Sequence, residues 1–349
     1  MLSGTLWPAH PRPLPDELLS SWIVRIAEAN GIKLYTLTLG LFGDRLTPWH
    51  RDIDRLAPKW LLKQICAKTG VGYWDAYHTT LTGYRTHLYP RRQISGQLRW
   101  ILPISTFGLD RRGYGQQFCP ECLARDANPY FRRCWRVGFF TFCPTHGCML
   151  LDACHACGAP VALHRRDIGR DLAESKGLAY CQKCGTDYRT APRQHVAGAD
   201  SQAHLMHQEL LLAVAGHAND QSPYNLGFLA VLHQLCKVLG AKANAGRLYR
   251  WVEMQLGIAT LVLLSPRRAT FESRRVHERH ALVALALWLL CDLPLRLTAA
   301  WRDKAVRFNH LLKDFNQPPR WYADVCTALK RSTFSVRTRS TGATNEQLQ

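Results

Sequence analysis

Nine of the thirteen cysteines lie between residues 119 and 184, and seven of these, with His146, form paired half-sites. The order is Cys119-x2-Cys122, Cys143-x2-His146, Cys154-x2-Cys157 and Cys181-x2-Cys184, with 20 and 23 residues between the halves of the two sets. A C-x2-C turn puts two thiolates on one side of a tight loop, and two such turns complete a tetrahedral site. The spacing therefore predicts two structural zinc ions, one on Cys119, Cys122, Cys143 and His146 and one on Cys154, Cys157, Cys181 and Cys184. Cys148 stands two residues after His146 and competes with it for the first ion; the shorter C-x2-H step favours His146. Cys66, Cys134, Cys236, Cys291 and Cys326 are expected to be buried thiols.

Other uses of these residues fit less well. A disulfide framework belongs to secreted chains, and no basic segment followed by an apolar one opens this sequence. A catalytic zinc keeps one position open for water, whereas both sets supply four protein ligands. The metalloprotease pattern HExxH is missing, because His277-Glu278-Arg279-His280 has the wrong spacing. The deaminase pattern, H-x-E before P-C-x-x-C, is missing too. With no phosphate-cradling glycine motif and no nucleophile triad, the expectation is a protein without catalysis of its own.

Charge is the second strong signal. The formal net charge is +19, with 45 lysines and arginines against 26 acidic residues. Most of the basic residues are arginine, whose rigid fork suits phosphates and stacks on aromatic faces. DNA or a ribonucleoprotein is the expected partner. The longest apolar run, Ala281 to Cys291, is shorter than the roughly 20 residues of a membrane span. A cytoplasmic protein acting at the nucleoid is expected.

The elements that must position these groups read as mainly α. Residues 1–100 form a helical, helix-turn-helix-like domain, 101–195 a tandem zinc-finger region, 196–332 a C-terminal helical domain, and 333–349 a disordered tail. Pro15-Asp16-Glu17 is expected to open the first helix, whose apolar residues Leu18, Leu19, Trp22, Ile23 and Ile26 recur at helical spacing up to Asn30-Gly31. A helix around Trp60 to Cys66, the turn Thr69-Gly70-Val71-Gly72 and a helix from about Tyr73 to Thr82 outline a helix-turn-helix corner. His78, Thr79, Thr82 and Arg85 would lie on its outward side, and a protein contact is the equal alternative. Trp100 to Gln117 looks like a linker. Arg132, Arg133 and Arg136, interleaved with aromatics, suit a nucleic-acid or partner surface. So do Arg267, Arg268, Arg274, Arg275 and Arg279, which crowd the start of the long helix expected from Ala269 to Leu290; a solvated face is the equal alternative. The other C-terminal helices are expected at 203–216, 226–239, 298–315 and 321–330.

The opening Trp7-Pro8-x-His10-Pro11-Arg12-Pro13-Leu14-Pro15-Asp16-Glu17-Leu18-Leu19-Ser20-Ser21-Trp22 resembles that of the TniQ/TnsD family of transposition proteins. Tyr114-Gly115-x-Gln117-Phe118-Cys119-Pro120-x-Cys122, the block Pro129 to Arg136, Cys143-x2-His146-Gly147 and the two later CxxC pairs resemble it as well. The resemblance spans about residues 5–190. It implies a non-catalytic accessory factor that helps choose the integration target beside a DDE-type transposase and an AAA+ ATPase of the TniB/TnsC type. In CRISPR-associated relatives the family member bridges an RNA-guided complex to that ATPase. The eight metal ligands carry over as named, and Arg12 is a candidate partner contact. TnsD-type members are longer, so reading of a fixed attachment site by this chain alone is not expected. A zinc-stabilised helix-turn-helix regulator is the alternative, a zinc-dependent nuclease the weakest, and a homodimer would be ordinary.

Overall fold

Leu19, Trp22, Ile23 and Ile26, with Leu18 just ahead of them, are buried along one face of α1 (Leu19–Ala29), so this helix forms part of the core. It begins later than Pro15-Asp16-Glu17 suggests. Asp16 has left-handed backbone, φ 54°, and its carboxylate accepts from Arg133 Nε at 2.8 Å and from the Cys134 amide at 3.1 Å. Glu17 is buried and accepts from Arg25, Ser21 and the Leu14 amide. The two carboxylates serve the tertiary fold rather than the helix dipole. The proline-rich strap ahead of them lies along α1: Trp22 Nε1 donates to the Pro11 carbonyl and Asn30 Oδ1 accepts from the Ala9 amide.

The computed structural model describes residues 6–43, 49, 51–89, 96–104, 113–165, 176–196, 198, 200–217, 223–241, 247–258 and 269–340, without the side chains of Phe42, His217 and 331–340. Within these residues the chain is mainly helical and contains no strands, only isolated bridges. After α1 come α2 (Leu34–Phe42), α3 (Ile53–Leu56), α4 (Lys59–Thr69), α5 (Tyr73–His78) and α6 (Pro120–Arg125). The later helices are α7 (Ser201–Leu212), α8 (Leu226–Leu239), α9 (Arg247–Leu256), α10 (Val276–Cys291), α11 (Leu293–Arg302), α12 (Phe308–Leu312) and α13 (Arg320–Ser340).

Several of these differ from the sequence-based expectation. α5 stops at His78, because the Thr79 and Thr80 hydroxyls donate back to the Ala76 and Tyr77 carbonyls, and a 3-10 turn, Leu81–Tyr84, follows. The segment expected to run from 298 to 315 is two helices, broken at Lys304, φ 56°. Helix α10 starts seven residues later than the expected Ala269. α9 is a helix that the sequence-based expectation leaves out, although Leu248, Trp251 and Val252 stand at helical spacing; it buries all three together with Tyr249. α13 continues to Ser340, into the stretch expected to be disordered. Residues 341–349 lie outside those described. No single helix is long and apolar enough to cross a membrane; α10 and α11 together have the length but are bent by 105°.

The chain divides into two compact units. The first comprises Met1–Ala197, Leu210–Gln221 and Ala269–His280; the second comprises Gly198–Glu209, Ser222–Arg268 and Ala281–Gln349. The sequence places a boundary between residues 100 and 101, and there the structure has packing instead. Trp100, Ile101 and Leu102 are buried, the Leu102 amide donates to the Arg136 carbonyl, and the Trp100 ring meets Phe139 and Phe271 edge-on at 4.9 and 5.2 Å. Gly115 passes so close to Pro103 that an added Cβ would stand 2.1 Å from its carbonyl oxygen, so only glycine fits. In the second unit, Gln234 donates to the His310 carbonyl and Trp251 Nε1 to Asp303, which tie α8 to α12 and α9 to the end of α11.

Candidate metal centre

Three of the four half-sites are built the same way. In each, the first cysteine's amide donates to the carbonyl five residues on: Cys143 to Cys148, Cys154 to Ala159 and Cys181 to Thr186, all at 2.8 Å. A glycine four residues after that cysteine returns its own amide to the cysteine carbonyl, at 2.8 to 2.9 Å for Gly147, Gly158 and Gly185. All three have positive φ, between 61° and 72°, a conformation that glycine takes without strain. The sequence displays this glycine after each knuckle, and the third, Gly185, completes the pattern. Cys119 and Cys122 differ: they sit at the start of α6, where Cys119 Sγ accepts from the Cys122 amide and Pro120 occupies the first helical position.

These turns assemble two groups whose ligand atoms all lie within 4.8 Å of one another: Cys119, Cys122, Cys143 and His146, and Cys154, Cys157, Cys181 and Cys184. In the first, His146 Nδ1 is 3.6, 3.3 and 3.4 Å from the sulfurs of Cys119, Cys122 and Cys143, and Cys122 to Cys143 is 3.7 Å. In the second, Cys154 to Cys184 and Cys157 to Cys181 are each 3.7 Å. Sulfur at about 2.3 Å and nitrogen at about 2.0 Å from a tetrahedral ion give edges of about 3.8 Å (S–S) and 3.5 Å (S–N). Both groups therefore fit a four-coordinate ion. Hydrogen bonds from Cys119 and Cys122 hold the Cys143 thiol low, while those with Cys122, Cys143 and Cys148 push Cys119 up. Cys184, hydrogen-bonded to Thr186, is lowered to about 6.

Around the first group the expected surface residues turn inward. The block Pro129 to Arg136 meets the Trp7–Trp22 opening directly: the Leu18 amide donates to the Phe131 carbonyl, and the Phe131 amide to Ser21 Oγ. Arg132 makes a two-pronged pair with Asp126 and lies over the Tyr130 and Trp135 rings; Arg133 pairs with Asp16. Arg136 is fully buried, bonded to Asp52, Asp54 and the Leu102 carbonyl. Burial, then Asp52 beside it, pushes Asp54 up to about 7. These arginines are internal anchors.

Arg274 is likewise buried and paired with Glu278, and Arg275 pairs with Asp152. Asp152 also accepts from the Val276 amide, capping α10 from the link between the two metal groups. Loss of that cap in Asp152→Ala should cost about 2 kcal/mol, with the half-exposed Arg275 pair adding little. Thermal unfolding checks this, and an unchanged midpoint would refute it. Arg279, the last of that basic run, is not on a surface stripe but buried, with its donors on the Gly138 carbonyl, Gln117 Oε1 and the Arg274 carbonyl; burial lowers it to about 10. Arg267 and Arg268 lie outside the described residues.

The helix-turn-helix corner is present as α4, Gly70 with φ 69°, and α5. Its outward side is not the expected one. Thr79 and Thr82 are buried, held by local hydrogen bonds, and only His78 and Arg85 of that set are exposed, as is Arg12. The side chain that stands out is Trp74, 68% exposed, with Tyr73 and Tyr77 edge-on to it at 5.7 and 5.6 Å. Three aromatics in Tyr73-Trp74-Asp75-Ala76-Tyr77 without an apolar period were the available signal.

Residues 8–150 match the model of the TniQ family. This region of the chain is a TniQ domain. The matched region takes in the strap, α1 to α6 and the whole first metal group, and it ends just before the second. Among curated proteins no match is found. A TniQ domain points to a transposition-associated accessory role.

Proposed function

We propose that this TniQ protein is a target-selection adaptor, held in shape by two structural zinc ions, that brings an AAA+ ATPase of the TniB/TnsC type, and through it the transposase, to a marked DNA target. The observation that carries this is a TniQ domain whose opening motif is locked onto a metal group with a full set of four ligands. Zinc suits the two groups because cysteine-rich tetrahedral sets are its preferred structural sites, and a closed set supplies no activated water. The net charge of +19 supports contact with DNA or an RNA-guided complex already on it, mostly through phosphates.

With Arg132, Arg133 and Arg136 occupied internally, the surface for a partner falls to Arg12, His78, Arg85 and the α5 aromatics. A pull-down of the ATPase by wild type and by Trp74→Ala with Arg85→Glu tests this. Wild type should retain the ATPase and the double variant should lose at least tenfold in affinity while its circular dichroism is unchanged. If wild type retains no ATPase but binds one duplex sequence tightly and with little salt dependence, the adaptor fails and the helix-turn-helix regulator replaces it.

A further inference from the structure

The first metal group has one donor more than a tetrahedral ion uses. Cys148 Sγ stands 3.6 Å from Cys119 Sγ, the same distance as His146 Nδ1 from that sulfur. That separation is already close to the S–S edge of a zinc tetrahedron, about 3.8 Å. The two donors flank the site differently. His146 is half-buried, whereas Cys148 is fully buried. Cys148 is also fixed in place: its carbonyl accepts from the Cys143 amide, and its backbone bridges to His195. Gly147 between them, φ 61°, lets the chain turn sharply enough to aim both residues at the same group.

We propose that Cys148 is a reserve ligand that replaces His146 on the first ion when the imidazole is withdrawn. This rests on the zinc assignment above. In the exchange the metal–nitrogen bond breaks and a metal–sulfur bond forms. The Cys148 thiol gives up its proton, which the released imidazole accepts, so no charge leaves the site and no oxidant or reductant is needed. Cys148 already stands beside Cys119 and completes the set by reaching the ion that Cys119, Cys122 and Cys143 hold. The site passes from three thiolates and an imidazole to four thiolates, a set zinc accepts equally well. Thiolate exchange at zinc without change of oxidation state is open to this d10 ion, which has no geometric preference of its own beyond ligand packing.

The experiment counts metal per chain and reads cobalt-substituted protein, whose sulfur-to-cobalt absorption grows with the number of bound thiolates. Wild type should hold two ions with seven thiolates, three in the first group and four in the second. His146→Ala should still hold two ions, with the absorption raised by about one part in seven. Cys148→Ser should hold two ions with the absorption unchanged, and His146→Ala with Cys148→Ser should lose the first ion and with it the soluble fold. The proposal is overturned if His146→Ala holds one ion, or holds two with no gain in absorption, or is insoluble where Cys148→Ser is soluble. A wild-type count below two overturns the zinc assignment itself, a different failure from these.

Discussion

A chelator in excess should strip the two ions in two phases, the second group first, and only the slower phase should unfold the first unit. Access decides the order. Cys184 is exposed and Cys157 half-buried, whereas every cysteine of the first group is buried. The size of the effect follows from the ion's share of the fold: structural zinc contributes on the order of 10 kcal/mol, comparable with the whole stability of an ordinary domain. Around the first group pack Phe118 against Tyr188 at 4.5 Å and Phe131 edge-on to Trp135 at 5.7 Å. When the knuckles spread, those contacts and the strap on the Pro129 to Arg136 block go with them. Cys119→Ser should therefore be insoluble or rapidly proteolysed, and Cys184→Ser should be soluble with one ion. A metallochromic indicator follows release while near-ultraviolet circular dichroism follows packing. Release in one phase, or native dichroism after both ions have gone, would contradict this.

Much of the metal centre was legible in the sequence because knuckle chemistry is local. Cys-x2-Cys, Cys-x2-His and the glycine that follows specify the turn, the ligand direction and the closing hydrogen bonds within six residues. The preference for His146 over Cys148 followed from the same short step, and His146 is the one grouped with the three cysteines. α1, α4 and α8 were readable from the sequence for the same reason. What was not legible lies in long-range pairing. Arg132, Arg133 and Arg136 look like a surface stripe until Asp16, Asp52, Asp54 and Asp126 are brought to them, and nothing near residue 136 announces a partner 82 or 84 positions away. Thr79 and Thr82 look like outward polar residues until their hydroxyls are seen to end the helix. Asp152 reads as a spacer between two ligand sets, yet it caps a helix 124 residues on. Trp100 to Gln117 has the glycine and proline content of a linker, yet Gly115 serves the close backbone approach to Pro103, and residues 105–112 lie outside those described.

Arg136→Ala should cost about 3–5 kcal/mol, while Arg85→Glu should cost nearly nothing. The contrast separates anchors from surface among the arginines. Arg136 has no solvent exposure, and its guanidinium lies 2.5 Å from Asp52 and 3.3 Å from Asp54. Two carboxylates, one of them also buried and fed by the Ser20 amide and hydroxyl, would lose their only countercharge among the described residues. Removing one partner of a buried pair leaves an uncompensated charge, which is the expensive case. For a unit of this size the loss should lower the unfolding midpoint on the order of 10 °C. The same reasoning applies, at smaller scale, to Arg132→Glu with Arg133→Glu, which would set like charges against Asp126 and Asp16 at the joint between strap and metal group. A loss of partner binding in that double variant would report unfolding, not a contact. Arg85 is exposed and its reversal disturbs no ion pair of the described residues. Replacing the trio together, Arg136→Met with Asp52→Leu and Asp54→Leu, should recover much of the loss, because a well-packed apolar cluster substitutes for a buried ion pair. Thermal melts of the four proteins decide it. An Arg136→Ala midpoint within a degree or two of wild type would mean that this arginine is not holding the domain together.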